Sequence, residues 1–228
     1  MFLSRRTAQA EYFDSPERTP GEIRAAYRQL ARVNRLFRVS HPFESHLPRW
    51  LGEERCRHLE LLDLGGGDGT LARLLEAWSA RRGWRWNITS VDLNALLWRS
   101  IGSKRAVVGD VLALPFRDAS FDVVISSQMT HHLLDEAQII HHFDEAWRVT
   151  RDAVMLTDLH RNIGLYLAVC VATALVGCTA PLRSDGRLSV ARSFRVREWR
   201  ALAERAGIPG ADVSVYFGSR ILLKARRR

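Results

Sequence analysis

A short run of acidic and small residues is the part of this sequence best suited to hold a ligand. The run contains Asp63, Gly65, Gly66, Gly67 and Gly69. Glycine lets the backbone turn sharply and approach a ligand without a Cβ clash. A helix that begins after such a turn offers free N–H groups and a positive dipole end to a carboxylate. The run therefore predicts a ligand-binding loop, although a glycine-rich turn by itself also serves as a plain connection from strand to helix.

The glycine spacing separates two classes of cofactor. Dinucleotide-binding folds use G-x-G-x-x-G, in which the third glycine lets the helix pack closely on the strand. Counted from Gly65 and Gly67, that third position is Thr70. The sequence thus departs from the nicotinamide fingerprint and carries D-x-G-x-G-x-G instead.

Two further groups of polar residues follow the glycines along the chain. The first is Asp92 with Leu93 and Asn94, and the second is Gly109 with Asp110 and Val111. A carboxylate placed like Asp92, after the next strand, accepts hydrogen bonds from ribose hydroxyls in nucleotide-binding folds. As an ordered set behind a glycine loop, these residues predict a nucleoside-containing cofactor.

The set resembles class I S-adenosylmethionine-dependent methyltransferases over residues 61–159. The resemblance implies that S-adenosylmethionine is the cofactor, with the glycine loop around its methionine half and Asp63 near its amino group. It also implies that Asp110 reaches the adenine amino group while its neighbour packs on the ring. The segments Leu114–Phe116 and Ser120–Val124 are similar to the "lPF" and "sFDvV" segments of the family.

Within that family, the chain looks most similar to the small-molecule methyltransferases of ubiquinone and menaquinone biosynthesis. More loosely, residues 157–167 and 185–194 resemble methyltransferases that accompany type III polyketide synthases. One departure is that Thr150–Ala153 stands where those relatives commonly carry a glycine pair.

Candidate catalytic residues follow the fourth and fifth predicted strands, at the edge where α/β sheets place their ligand crevice. They are His131, His132, Asp158 and His160, and Ser126, Ser127 and Gln128 precede them as further candidates for cofactor binding. A histidine has a pKa near 6.5 and suits proton removal from a phenol or an enol at neutral pH. The resemblance favours His132 as the base, followed by His131 and His160, and Asp158 is expected to orient an imidazole.

Histidines and cysteines elsewhere suggest no further chemistry. His141 and His142 lie within a predicted helix, where solvated or half-buried roles are expected. Cys56, Cys170 and Cys178 show no paired spacing, which predicts reduced thiols in a cytoplasmic protein. No sequence spacing is typical of a metal site, so we predict no metal.

Strand and helix signals alternate along the chain, which predicts an α/β fold. We expect a Rossmann-like, mostly parallel seven-stranded sheet with helices on both faces and a small helical substrate cap. One domain of 228 residues is predicted, with four parts listed here: an N-terminal helical cap (1–57), a cofactor-binding core (58–160), a cap insertion (161–195), and a C-terminal helix with a strand pair (196–228).

An apolar segment governs both the substrate class and membrane contact. Residues 162–181 contain no charged side chain, but the most apolar part, Gly164–Val176, is too short for a membrane span. We expect a cap helix here, with interfacial contact as the lesser alternative. Together with the helix that begins near Pro20 and a loop through Arg183–Phe194, it would roof the crevice with apolar side chains. Such a roof suits an aromatic or lipid-like molecule.

The predicted function is therefore methyl transfer to a small hydrophobic metabolite that is hydroxylated and aromatic or polyketide-like. O-methylation is favoured over C-methylation. The net charge of +9 leaves an RNA methyltransferase as an alternative, although Ser126–Met129 does not match the N-P-P-Y type of tetrapeptide and nucleic acid is disfavoured as a partner. A non-catalytic binding module is the second alternative. The sequence leaves the oligomeric state open.

Overall fold

The computed structural model describes residues 3–15, 17–94 and 105–227. Positions 1, 2 and 16 of the predicted N-terminal cap, positions 95–104 of the predicted cofactor-binding core and position 228 of the predicted C-terminal part lie outside the described residues.

Seven strands form one sheet in the order β3-β2-β1-β4-β5-β7-β6. Their bounds are β1 His58–Leu64, β2 Arg85–Asp92, β3 Ala106–Val108, β4 Phe121–Ser127, β5 Thr150–Leu159, β6 Asp212–Tyr216 and β7 Arg220–Arg226. Strands β1 to β5 run parallel, whereas β7 runs antiparallel to both of its neighbours. The predicted sheet is thus confirmed, with its carboxyl edge formed by the ends of β1, β2, β4 and β5.

Seven described helices surround or extend the sheet. Their bounds are α1 Pro20–Leu36, α2 His41–Leu51, α3 Thr70–Ala80, α4 Glu136–Val149, α5 Ile163–Leu175, α6 Ala180–Arg192 and α7 Val196–Arg205. Short 3₁₀ turns lie at Tyr12–Asp14, Arg55–Arg57 and Thr130–His132.

Alternation along the strands divides the core into two layers. On β1, Leu59 and Leu61 face one layer with α2 and α3, whereas Leu62 and Leu64 face the other with α4 and α7. Central parallel strands are apolar on both faces because helices cover both sides. His142 of α4 is fully buried in the second layer, which corrects the expectation of a solvated or half-buried side chain. Burial lowers its pKa to about 4, so this imidazole is neutral.

The first long helix begins where its capping residues predict. Thr19 Oγ1 accepts a hydrogen bond from Glu22 N at 3.3 Å, and Glu22 Oε2 accepts one from Thr19 N at 2.9 Å. This reciprocal capping box satisfies N–H groups that have no partner in the first helical turn.

Two helices were absent from the sequence-based prediction. The first is α2, in which Pro42 lies in the first turn, where its missing N–H costs nothing. The expected loop through Arg183–Phe194 is wrong, because α6 occupies Ala180–Arg192. At Gly186 in α6, an added Cβ would lie 3.0 Å from Val169 Cγ1 of α5, so this glycine permits close packing of the two helices.

The apolar segment folds as the expected helix, α5. Its 13 residues extend for about 20 Å at 1.5 Å per residue, against roughly 30 Å of hydrocarbon in a bilayer. Within the described ranges, no helix is long and apolar enough to cross a membrane.

Candidate active site

The glycine loop connects β1 to α3 in a backbone conformation that other residues rarely adopt. Gly65 and Gly67 have φ values of +67° and +53°. A Cβ added at Gly65 would lie 2.2 Å from Met129 Cγ, so the loop also lies against the segment that follows β4. The glycines at these two positions therefore satisfy both backbone conformation and close packing.

Asp92 joins the end of β2 to this loop. Its Oδ2 accepts a hydrogen bond from Gly67 N and its Oδ1 accepts one from Asn94 N, both at 2.9 Å. Leu93 is 69% exposed between them. The three predicted residues at this edge thus lie directly beside the glycine loop.

Asp63 is a buried carboxyl at the base of the same loop. It is 1% exposed, and burial together with the charge of Asp92 raises its pKa to about 8, while nearby Ser90 opposes the rise. Asp63 Oδ2 and Ser90 Oγ flank Gly66, and neither makes a hydrogen bond of normal geometry within the described residues. An unpaired oxygen on a buried carboxyl is costly, and a cationic or hydrogen-donating ligand would satisfy it.

The residues after β3 are placed at the same sheet edge. Gly109 N donates to Asp92 O at 3.1 Å, and Asp110 Oδ1 accepts from Leu112 N at 2.9 Å. Val111 is buried in the hydrophobic core, and the expected contact of an Asp110 neighbour with an adenine ring stays a prediction.

The three residues at the end of β4 differ in environment. Ser126 Oγ donates to Leu64 O at 2.9 Å and so links β4 to β1. Ser127 Oγ is buried and has no partner in the described part of the chain. Gln128 has φ +58°, and its Nε2 donates to Asn34 Oδ1 of α1 at 3.2 Å. Ser126 and Gln128 thus have hydrogen-bond partners, whereas the Ser127 hydroxyl has none among the described residues and would be satisfied by a ligand.

Helix α1 covers the glycine loop through Tyr27. A Cβ at Gly67 would lie 3.0 Å from the Tyr27 ring. Burial raises the pKa of the Tyr27 phenol, and Asp92 and Asp68 add to the rise. In the sequence, Tyr27 forms part of the apolar pattern of α1, and that pattern gives no sign of a role at the loop.

A buried histidine–aspartate pair lies where β4 and β5 end. Asp158 Oδ1 lies 2.7 Å from His131 Nδ1, and Asp158 Oδ2 accepts from His131 N at 2.8 Å. The two residues are 2% and 0% exposed. Burial favours the neutral acid, but His131 and the backbone donors outweigh it and keep the pKa of Asp158 below its usual value. Ionised Asp158 accepts from His131 Nδ1–H, which leaves Nε2 as the proton acceptor.

Two residues far away in the sequence complete this cluster. Glu11 Oε1 lies 3.8 Å from His131 Nε2, and Arg192 Nη1 lies 3.4 Å from the same oxygen. Burial raises the pKa of Glu11 to about 7, and His132 and Arg192 oppose the rise. Neither residue was predicted, because a lone glutamate and one arginine among many give no pattern in the sequence.

His132 lies beside His131 but faces a different group. The two ring centroids are 4.4 Å apart. His132 Nδ1 lies 3.1 Å from Asp14 Oδ1, and Arg192 Nη1 donates to Asp14 Oδ2 at 2.6 Å. The side chain of His132 is 39% exposed, so it is wetter and less fixed than His131.

His160 is separated from this cluster. Its Nδ1 lies 3.2 Å from Gly218 O, in the turn between β6 and β7. Its contacts are to that hairpin and to Asn162, not to the His131–Asp158 pair.

Glu11, His131 and His132 also place potential metal ligands within 4.8 Å of one another. Chain folding, not sequence spacing, brings them together. Arg192 already supplies positive charge to Glu11. The prediction of no metal stays a prediction.

The part of the chain that forms this sheet edge matches a known protein family. Residues 62–156 match the model of a family described as "Methyltransferase domain". The chain contains an S-adenosylmethionine-dependent methyltransferase domain. This stretch of the domain includes the glycine loop, Asp92, Asp110 and His131.

Solved structures share the fold of this methyltransferase. A methyltransferase of Aquifex aeolicus has a TM-score of 0.54 at 15% identity, over 92% of this chain and 99% of the other. A Methanococcus maripaludis protein, provisionally described as such an enzyme, has a TM-score of 0.63 at 12% identity. The match covers 94% of this chain and 97% of the other. A chain from the Haloferax volcanii complex between the Trm112 methyltransferase activator and a methyltransferase has a TM-score of 0.62 at 14% identity. The match covers 94% of this chain and 100% of the other. The search of curated protein sequences gave no significant match.

The residues at the sheet edge fit S-adenosylmethionine. The unpartnered Asp63 Oδ2 suits the ammonium group of the methionine half. The glycine loop leaves no room for larger residues at Gly65, and Asp92 carries carboxylate oxygens at the end of β2, where a ribose would bind. Charge and shape at this edge therefore agree with the cofactor of the methyltransferase.

Proposed function

We propose that the chain transfers a methyl group from S-adenosylmethionine to a hydroxyl oxygen of a small, hydrophobic, aromatic or polyketide-like molecule. The single observation that carries this proposal is the buried His131–Asp158 pair, two residues beyond the Met129 side chain that packs against Gly65. This position supports a role for His131 as an oriented base beside the cofactor loop. Methyl transfer to a phenol or an enol gains from such a base, because the oxygen attacks best as its proton leaves.

His131 replaces His132 as the preferred base in this proposal. Asp158 bonds to the ring of His131 through Nδ1 and to its backbone through N, whereas His132 is held by Asp14 at the exposed margin. The pair is oriented as in other histidine–carboxylate bases, in which the carboxylate sets the tautomer and stabilises the imidazolium that forms. His132 then positions the N-terminal segment through Asp14.

The bound cofactor supplies an electrophilic methyl group. The chain positions the acceptor and receives its proton. The acceptor hydroxyl displaces Glu11 from His131 Nε2, donates its hydrogen bond there, and passes its proton to that nitrogen. Burial of the pair excludes water, which strengthens the electrostatic support from Asp158. Positioning of the two reactants supplies much of the remaining rate.

The proposed substrate class is supported by the apolar helices beside the N-terminal segment. Helices α1, α5 and α6 pack together beside the N-terminal segment, and their buried side chains include Val33, Val169, Leu182 and Val190. An acceptor bound beside these helices would have largely apolar surroundings, which are typical of sites for small hydrophobic ligands.

The proposal is tested by turnover with isotopically labelled S-adenosylmethionine. Phenols, quinones and bulk RNA are offered as methyl acceptors. We expect label on hydroxylated aromatic compounds and none on RNA. Product analysis by mass spectrometry and NMR separates O-methyl from C-methyl products. Label that appears on RNA alone would overturn the small-molecule assignment, and label on carbon alone would overturn O-methylation.

A further inference from the structure

Six large hydrophobic side chains are exposed on one side of the molecule. They are Leu36 (58% exposed), Ile163 (61%), Leu167 (56%), Val171 (59%), Leu175 (79%) and Phe217 (81%). Four of them occur at every fourth residue of α5, which places them along one side of that helix. These six residues are called the apolar face.

The apolar face is continuous across three elements. Leu36, at the end of α1, lines a shallow groove together with Leu167, Val171 and Leu175. At the other end of α5, Asn162 Nδ2 donates to Gly218 O at 2.9 Å and so fixes the hairpin turn that carries Phe217. Soluble proteins rarely expose large continuous apolar patches unless the patch binds a partner or a membrane.

The sequence around the apolar face is basic. Residues 23–43 contain five arginines and no acidic residue, and residues 159–184 contain no acidic residue. Near the C-terminal end of α5, Arg32 and Arg183 both act on the Cys178 thiol, and Arg183 Nε donates to Cys178 O at 2.8 Å. Positive charge therefore borders the face where α5 ends.

The opposite end of the face is basic as well. Arg38 acts electrostatically on His41, whose ring lies 6.1 Å from the Phe217 ring. An apolar strip between two basic ends is complementary to an anionic lipid surface, where arginines meet headgroups and apolar side chains enter the acyl boundary.

We propose that the apolar face binds the surface of an anionic phospholipid bilayer, with α5 lying in the plane of the interface. A second copy of the chain fits less well, because two faces with the same basic ends repel each other. With 13 residues, α5 is long enough to lie on a bilayer and too short to span it. This inference does not rest on the proposed methyl transfer, since lipid binding is measured without turnover.

Vesicle flotation of the full chain tests the proposal. Vesicles of phosphatidylcholine alone are compared with vesicles that also contain phosphatidylglycerol, at low and at high salt. We expect binding to the anionic vesicles and release at high salt, because screening weakens attraction to the headgroups.

Two variants separate the apolar and the basic contributions. Leu167→Glu with Val171→Glu should weaken partition at least about tenfold, since two apolar side chains no longer enter the bilayer. Leu134→Glu, at a 45% exposed leucine outside the face, is the matched control and should leave binding unchanged. Arg32→Gln with Arg183→Gln should reduce binding to anionic vesicles about fivefold or more, whereas Arg81→Gln with Arg117→Gln should not.

Three outcomes would overturn the proposal. The first is no binding of the folded wild-type chain to anionic vesicles. The second is equal binding by the α5 variant and its control. The third is a dimer in light scattering that the α5 variant dissociates, which would assign the face to a second copy. Circular dichroism confirms that each variant is folded before it is compared.

Discussion

The cofactor half and the acceptor half of the site are stabilised in different ways. In the cofactor half, the loop after β1 supplies glycine turns, and Asp92 and Asp110 accept hydrogen bonds from nearby backbone N–H groups. In the acceptor half, Glu11, His131, Asp158 and Arg192 contact one another from four separate parts of the chain. Backbone conformation determines the first half, and balanced buried charge determines the second.

This difference predicts different sensitivities. Steric changes should damage the cofactor half most, because its backbone has no freedom to adjust around Gly65. Changes of charge or pH should act mainly on the acceptor half, where unpaired buried ions are costly. Changes at His131, Gly65, Asp63 and Glu11 test this contrast.

The largest effect is expected from His131→Asn. Asparagine keeps a donor for Asp158 but removes Nε2, so turnover should fall by roughly 10²–10⁴-fold. The affinity for S-adenosylmethionine, measured by calorimetry, should change little. His160→Asn is the matched control, because the His160 ring contacts Gly218 O and Asn162 and not the His131–Asp158 pair. Turnover at the wild-type rate in His131→Asn would remove His131 from the role of base.

Gly65→Ala should destabilise the protein and weaken cofactor binding. The new Cβ would clash with Met129, and alanine would be strained at φ +67°. Gly83→Ala is a close control, because its φ is +73° but nothing lies within 4 Å of the added Cβ. Strain alone costs about 1–2 kcal/mol, so chemical unfolding should show a clearly larger loss for Gly65→Ala. Equal losses would mean that close packing at Gly65 contributes nothing.

Asp63→Asn should weaken cofactor binding by about 10–100-fold, as expected for a lost charge-assisted hydrogen bond. Because the pKa of Asp63 is about 8, this carboxyl is largely protonated near neutral pH and must lose its proton to pair with an ammonium group. Calorimetry in two buffers of different ionisation enthalpy should therefore show proton release in the wild type and less in the variant. The same release from both proteins would contradict this pairing. Exposed Asp118→Asn is the control.

Glu11→Gln should have the smallest effect, on the pH dependence of stability. Burial raises the pKa of Glu11 from 4.5 to about 7, with Asp14, His132 and Arg192 nearby. Folding therefore favours the protonated carboxyl, and this stabilisation is lost as the pH rises from 4.5 to 7. In the wild type, the free energy of unfolding measured by chemical denaturation should fall between pH 5 and pH 8. This fall should be smaller in Glu11→Gln by on the order of 1–3 kcal/mol. Exposed Glu54→Gln should match the wild type, and an identical pH dependence in Glu11→Gln would contradict the assignment.

The sequence was informative where function depends on local conformation. Asp63, Gly65 and Gly67 need a sharp turn between a strand and a helix, and that requirement is visible in the order of residue types. The sheet followed in the same way, because alternating strand and helix signals restrict the topology.

The acceptor half was only partly predictable. His131 and Asp158 were named because both follow buried strands, but their pairing depends on the register in which Ser127 aligns with Thr157. Glu11 and Arg192 join them only through the fold of the N-terminal segment and α6. No local pattern records a contact between Glu11 and Arg192, and the family resemblance favoured the neighbouring His132.

The attachment of the N-terminal segment has a practical consequence. Asp185 of α6 accepts hydrogen bonds from Tyr12 N and Phe13 N, at 2.8 and 3.1 Å, and Leu3 O accepts from Arg161 and Arg195. A shortened version that starts at α1 would keep the residues of the sheet and its glycine turn but lack Glu11 and Asp14, which contact His131, His132 and Arg192. Such a version should still recognise the methyl donor while failing in turnover, and a synthetic peptide carrying the missing segment offers a direct route to reconstitution.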